Sequence, residues 1–249
     1  MNECPLCDGT GWRPVEREGL RAVEVCSCRR QARDENWWME QAQIPGAFRG
    51  KDLEHFFLVD NNKSLLDAKS EARKFIDNYP FEGKGLFLIG NPGVGKTHLT
   101  VAILKELMTQ KGVSCLFCSY QELLRKIRDS YNAVSHSTES EVVRPVLETD
   151  VVVIDDLGAE RISDWVEDTV TYILNYRYSQ KKTTLLTSNL PDEPADGRET
   201  ETKRGFARPH RDTLTDRIGI RVRSRLHEMC TLVRIHANDF RQTVREHGR

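Results

Sequence analysis

Gly90-Asn-Pro-Gly-Val-Gly-Lys-Thr97 decides the fold. The spacing suits a loop whose glycines let the backbone wrap closely and aim N–H groups at phosphate oxygens, ending in a lysine and a hydroxyl residue. The apolar run Gly85-Leu-Phe-Leu-Ile89 leads in as a strand, and Thr97 to Gln110 leads out as an amphipathic helix whose N-terminus adds positive potential. The candidate phosphate-site residues are therefore Gly90, Asn91, Pro92, Gly93, Val94, Gly95, Lys96 and Thr97, with His98 adjoining. Lys96 is placed to reach the β- and γ-phosphates of a nucleotide, and the Thr97 hydroxyl to ligate Mg²⁺.

Working outward, short apolar runs recur at Ser114 to Ser119, Asp150 to Asp155, Thr183 to Thr187 and Cys230 to Ile235, with helical patterns at Gln121 to Ser130 and Asp164 to Ser179. Strands apolar throughout and separated by helices predict an α/β fold, a five-stranded parallel sheet sandwiched between helices. Val151-Val-Val-Ile-Asp155-Asp156 is a buried strand ending in two acids. Asp155 fits a second Mg²⁺ partner, and Asp156 fits the group that polarises an attacking water. The strand Thr183-Thr-Leu-Leu-Thr-Ser-Asn189 also ends in polar groups, and the Asn189 amide could hold that water or a γ-phosphate oxygen.

Taken in order, Gly-Asn-Pro-Gly-Val-Gly-Lys-Thr, Val-Ile-Asp-Asp-Leu-Gly, Leu-Thr-Ser-Asn-Leu and Ser224-Arg225-Leu226 resemble the AAA+ P-loop NTPase family of DnaC/DnaI helicase loaders and IstB transposition helpers. The resemblance runs from about Ile44 to Arg241. It implies hydrolysis of ATP at a subunit interface, hence self-association, with Arg225 as the arginine finger supplied to a neighbouring chain. It also implies a replicative DNA helicase as partner (alternatively a transposase) and action on single-stranded DNA. Asp156 stands where many of these proteins carry the longer Glu, which implies slow turnover. Little chain follows Ile235, so a lidless domain is expected.

Cys4, Cys7, Cys26 and Cys28 crowd the start of the chain, while Cys115, Cys118 and Cys230 lie in apolar surroundings. Two close pairs of thiolates suit a tetrahedral structural Zn²⁺ with no open position, since so small a unit buries too little core to fold without metal. Cys115 and Cys118, on one strand, should point to opposite faces as ordinary core residues. These readings divide the chain into a zinc unit at 1–40, a linker with a helix near Leu66 to Asn78 at 41–82, and an ATPase domain at 83–249.

In 249 residues the charge is balanced, net −1, so only local clusters bear on nucleic acid. Lys203 to Arg225 holds eight basic residues against two acids, which suits a phosphate backbone or, equally, a solvated face between subunits. Pro191 to Arg211 reads as a long surface loop. The pair Trp37-Trp38 reads as core packing or partner contact ahead of base stacking, and no set of histidines has ligand spacing. Neither a membrane span nor an apolar signal segment is legible, so a cytoplasmic location without membrane contact is expected. A P-loop kinase should show acceptor-site residues and a lid, and a vestigial nucleotide site should lack Lys96, Thr97 or Asp155.

Overall fold

A computed structural model describes residues 10, 12–17, 20–25, 35–58, 62–80, 84–131, 138–160, 163–192 and 212–241. The four N-terminal cysteines lie outside them. So do residues 193–211 of the tract read as a loop. Near the start, β1 (Trp12–Arg17) and β2 (Leu20–Val25) form an antiparallel hairpin.

The sheet that carries the site has five parallel strands: β3 (Gly85–Gly90), β4 (Cys115–Ser119), β5 (Val151–Asp155), β6 (Thr183–Ser188) and β7 (Cys230–Ile235). Their spatial order is β4-β5-β6-β3-β7, so β3 is inserted between the last two strands of the sequence. Residue alternation sends the two faces of each strand to different helical layers. Leu86, Leu88, Phe117, Val153, Leu185 and Val233 pack on one side, with α1 (Glu35–Gln41), α2 (Lys63–Asn78) and α3 (Lys96–Lys111). Phe87, Ile89, Leu116, Ile154 and Leu186 pack on the other, with α4 (Tyr120–Ser130), α5 (Glu139–Glu148), α6 (Asp164–Ser179) and α7 (Leu214–Met229). Cys115 belongs to the first layer and Cys118 to the second, as expected of residues three apart on a strand.

Local chemistry sets the helix ends. Asn62 accepts from the Ser64 and Leu65 N–H groups at the start of α2. Thr138 with Glu141, and Thr213 with Asp216, form reciprocal capping boxes at α5 and α7. α3 is buried nearly all round, from Leu99 through Leu104 to Met108, which a helix wedged between a sheet and α2 requires. α7 is broken at Gly219, whose backbone (φ 80°, ψ 159°) is not helical.

The first helical layer draws on both sides of residue 40. Met39, Ala42 and Ile44 are sealed in the same core as α3. Trp38 packs on that core partly buried, while Trp37 meets it edge-on and stays exposed. The tract beginning at Pro191 does not start as a surface loop: the Asp192 side chain is 1% exposed and ion-paired.

Candidate functional site

The site lies where β3, β5 and β6 end side by side, a crevice that a parallel sheet leaves at the carboxyl ends of its strands. β3 runs into Gly90 to Gly95, and the loop enters α3 through Gly93 (φ +78°) and Gly95 (φ +96°). Both need the left-handed backbone that glycine adopts without cost. A Cβ at Gly93 would also stand 1.8 Å from a carboxylate oxygen of Asp239, and one at Gly95 2.6 Å from the Phe56 ring. Neither position has room for a side chain.

Lys96 is buried and its ammonium has three acceptors: the Gly90 and Asn91 carbonyls, each at 2.8 Å, and Asn189 Oδ1 at 2.6 Å. Desolvation lowers its pKa to about 8, although Asp156 and Asp155 pull the other way. Asn189 also donates from Nδ2 to Asp156. Thr97 Oγ1 lies 3.0 and 3.2 Å from the two oxygens of Asp155. Burial raises the Asp155 pKa against the hydrogen bonds from Thr187 and Thr97. Two hard oxygen groups at a helix N-terminus, with a second carboxylate alongside, fit Mg²⁺, which takes few protein oxygens and keeps water or phosphate oxygens for the rest.

Thr187 completes this corner and is not legible in the sequence as a functional residue. Its hydroxyl donates to Asp155 at 2.7 Å and accepts the Asp156 N–H at 2.8 Å. Asp156 sits at φ +62°, a left-handed backbone unusual for a residue other than glycine. The Thr187 hydroxyl and the bond from Leu157 N–H to the Thr187 carbonyl (2.8 Å) hold it there. Strain of this kind persists where surrounding structure enforces it, and here it turns the second acid toward Asn189.

These groups line a cavity of about 840 Å³. Its other walls come from Phe56 and Phe57 before α2 and from Asn238, Phe240 and Arg241 after β7. The Phe57 and Phe240 rings lie 5.3 Å apart, and Phe240 N–H donates to the Gly93 carbonyl at 3.2 Å. Sequence reasoning missed this wall, because the two aromatic residues are distant in sequence and belong to no motif. His98 lines the cavity too, but its Nε2 is 2.6 Å from the Asp52 carbonyl, and burial lowers its pKa.

Arg225 does not line that cavity. It lies over α6, its Nε donating to Asn175 at 3.0 Å, its guanidinium 4.5 Å from the Tyr178 ring centre and paired with Glu228. Neighbouring cations are paired as well, Arg217 with Asp212 and Arg223 with Asp192. Three of the four arginines in the described part of the basic segment, Arg217, Arg223 and Arg225, are therefore held in ion pairs, while Arg221 stands exposed. Among the described residues no helix is long and apolar enough to cross a membrane.

The chain is 28% identical to the phage-like element PBSX protein XkdC of Bacillus subtilis over 200 residues, 77% of this chain and 73% of that one. It is 31% identical to the replicative helicase loader DnaI of the same organism over 169 residues, 66% of this chain but 51% of DnaI, so the match spans about half of that relative. A crystal structure of the DnaC helicase loader superposes with a TM-score of 0.62 at 32% identity, covering 77% of this chain and 99% of that one. The fold is that of the AAA+ P-loop proteins. Residues 22–198 match the family described as IstB-like ATP binding protein, and with the phosphate loop, the paired acids and Asn189 converging in one cavity, the chain belongs to that family.

Proposed function

We propose that the chain is an Mg²⁺-dependent ATPase that loads or remodels a replicative DNA helicase on single-stranded DNA, and that it works as an assembly of copies in the cytoplasm. The observation that carries the reading is the meeting of Lys96, Thr97, Asp155, Asp156 and Asn189 in one cavity. The relatives named as replicative helicase loaders support the choice of partner.

In this reading Gly90 to Lys96 wrap the β- and γ-phosphates, and the aromatic wall of Phe57 and Phe240 receives the base. Thr97 and Asp155 hold Mg²⁺, which supplies charge neutralisation at the phosphates when bound. Asp156 and Asn189 orient a water in line with the γ-phosphorus. Asp156 takes its proton as the bond to the β-phosphate oxygen breaks, giving ADP and phosphate. Arg225 reaches the transferred group of a neighbouring subunit, where an added cation stabilises the spread charge. Cys4, Cys7, Cys26 and Cys28 form a structural Zn²⁺ unit at 1–40 ahead of the linker at 41–82 and the ATPase domain at 83–249. That unit contacts helicase or DNA.

A second reading, an ATPase that recruits or activates a transposase on DNA, is favoured by the IstB-like match itself. One experiment separates the two. Closed circular single-stranded DNA coated with its binding protein is offered to the host replicative helicase, and unwinding of an annealed strand is followed. The loader reading expects unwinding that depends on this chain and ATP and is lost with Lys96→Ala. ATP-dependent stimulation of a transposase without any effect on helicase loading selects the second reading. Unchanged ATP affinity in folded Lys96→Ala removes both.

A further inference from the structure

Asp192 is a sealed carboxylate three residues beyond Asn189, and its partners come from two other elements. Arg223 Nε donates to it at 2.6 Å and His227 Nε2 lies 3.2 Å away, both from α7. Arg234 Nη2 of β7 donates at 3.3 Å. Burial alone would push the Asp192 carboxyl up, but the bonds from Arg223 and His227 outweigh it and hold it below the ordinary range. The backbone adds a fourth tie, from Leu214 N–H at the head of α7 to the Pro191 carbonyl at 2.9 Å.

The three elements joined here are those the proposed reaction uses. The Asp192 segment leaves the strand that ends in Asn189. Arg234 pairs in register with Ile89, the residue before the phosphate loop. Arg223 and His227, four apart, share one face of α7. Arg225, two residues from Arg223, is turned by roughly 200° to the opposite side, where Asn175 and Glu228 hold it. The break at Gly219 interrupts α7, so the half that bears these residues is not aligned by unbroken helical bonding to its own start. Its attitude depends instead on what grips its sides, and on one side that is Asp192.

We propose that Asp192 is a positioning residue that couples Asn189 to Arg225, so that the nucleotide bound by one subunit sets the arginine offered to the next. A change in the contacts of Asn189 moves the short segment to Asp192, and three charge-assisted bonds pass it to the far half of α7. Neither Asp192 nor Arg223 lines the cavity. The inference rests on the reading of Arg225 as the group supplied between subunits.

The test follows turnover against ATP concentration in the full chain, beside the affinity of each variant for a fluorescent ATP analogue. Coupled sites make the unmodified chain sigmoidal in ATP. Asp192→Asn keeps analogue affinity within about twofold, turns the curve hyperbolic and lowers maximal turnover by about tenfold, in the ordinary range of coupling energies. Arg223→Gln, which leaves Asp192 with His227 and Arg234, produces the same change should Asp192→Asn fold poorly. The double variant is no worse than either single one, as expected of groups that act as a unit. A residue that only stabilises the fold would lower the unfolding midpoint and leave the shape of the curve alone. A hyperbolic curve in the unmodified chain, or a sigmoidal one in both variants, overturns the proposal. Failure of the underlying reading shows elsewhere: Arg225→Ala would then turn over normally.

Discussion

Asn189 joins Lys96 to Asp156, accepting from the ammonium with its oxygen at 2.6 Å and donating to the carboxylate with its nitrogen. One amide thus fixes the spacing between the cation meant for the phosphates and the acid meant for water. Asn189→Ala should lower ATP turnover by about 10²-fold, the scale for losing one aligned polar group in a reaction that develops charge. Analogue affinity should change much less, because the phosphate loop keeps its own contacts. An equal loss in both quantities would assign Asn189 to binding alone.

Nucleotide affinity should fall in alkaline solution. In the protein without nucleotide Lys96 titrates near pH 8, lowered by burial, whereas phosphates favour its charged form. Below that pH the lysine is already protonated and affinity is flat. Above it binding must take up a proton, so affinity drops by up to about tenfold per pH unit. Calorimetry in buffers of different ionisation heat should register proton uptake on the alkaline side of that pKa of about 8 and none well below it. A pH-independent affinity across this range would show that the lysine is not the phosphate partner.

Arg225 is held on the outer side of α7 and α6, away from the cavity of its own chain. Lys96→Ala retains that arginine, and Arg225→Ala retains the phosphate loop. Each alone should be nearly inactive, since losing a finger costs about 10³-fold or more in this chemistry. Mixed, they should recover part of the activity through interfaces that combine the intact halves. A mixture that associates yet stays inactive would move attention to Arg217 or Arg221.

Arg177 should matter for stability and not for nucleotide. It is fully buried and donates to the Val146 and Thr149 carbonyls at 2.7 and 2.9 Å and to the Thr184 hydroxyl at 2.9 Å. Desolvation brings its pKa down to about 10. Arg177→Met leaves several buried acceptors unpaired and should cost about 3 kcal/mol in urea unfolding. ATP affinity should be unchanged, because these contacts sit at the opposite ends of β5 and β6 from the phosphate loop.

The N-terminal cysteines supply the last test. Protein purified without chelators should contain one zinc per chain by elemental analysis. Cys26→Ser should lose it and become protease-sensitive within 1–40 while the ATPase domain stays folded. Metal-free protein with four reactive thiols in that stretch would remove the zinc unit.

The parts of the site legible in the sequence are those that local chemistry dictates. Gly93 and Gly95 declare a left-handed loop between a strand and a helix, and Asp155-Asp156 declares a strand whose buried run ends at a polar edge. α5 is hidden because Pro145 sits within it, although the Thr138–Glu141 box starts the helix well. Phe240 and Arg241 carry no motif, and only tertiary folding brings them to Gly93 and Phe57. Asp192 is concealed more deeply. Pro191 before it and the polar run from Glu193 onward suggest a solvated loop, and nothing local reveals that Arg223, His227 and Arg234 will bury it.

The strand order carries a consequence for how the chain is made. β3 is the first strand of the parallel sheet to leave the ribosome, yet both its neighbours, β6 and β7, are the last. Until they arrive, the strand that supports the phosphate loop has two unpaired edges and an apolar run from Leu86 to Ile89, a combination prone to wrong pairing. A nascent chain halted before Cys230 should therefore be unable to retain ATP even though every phosphate-loop residue has been synthesised. Competence arrives only with the final strand.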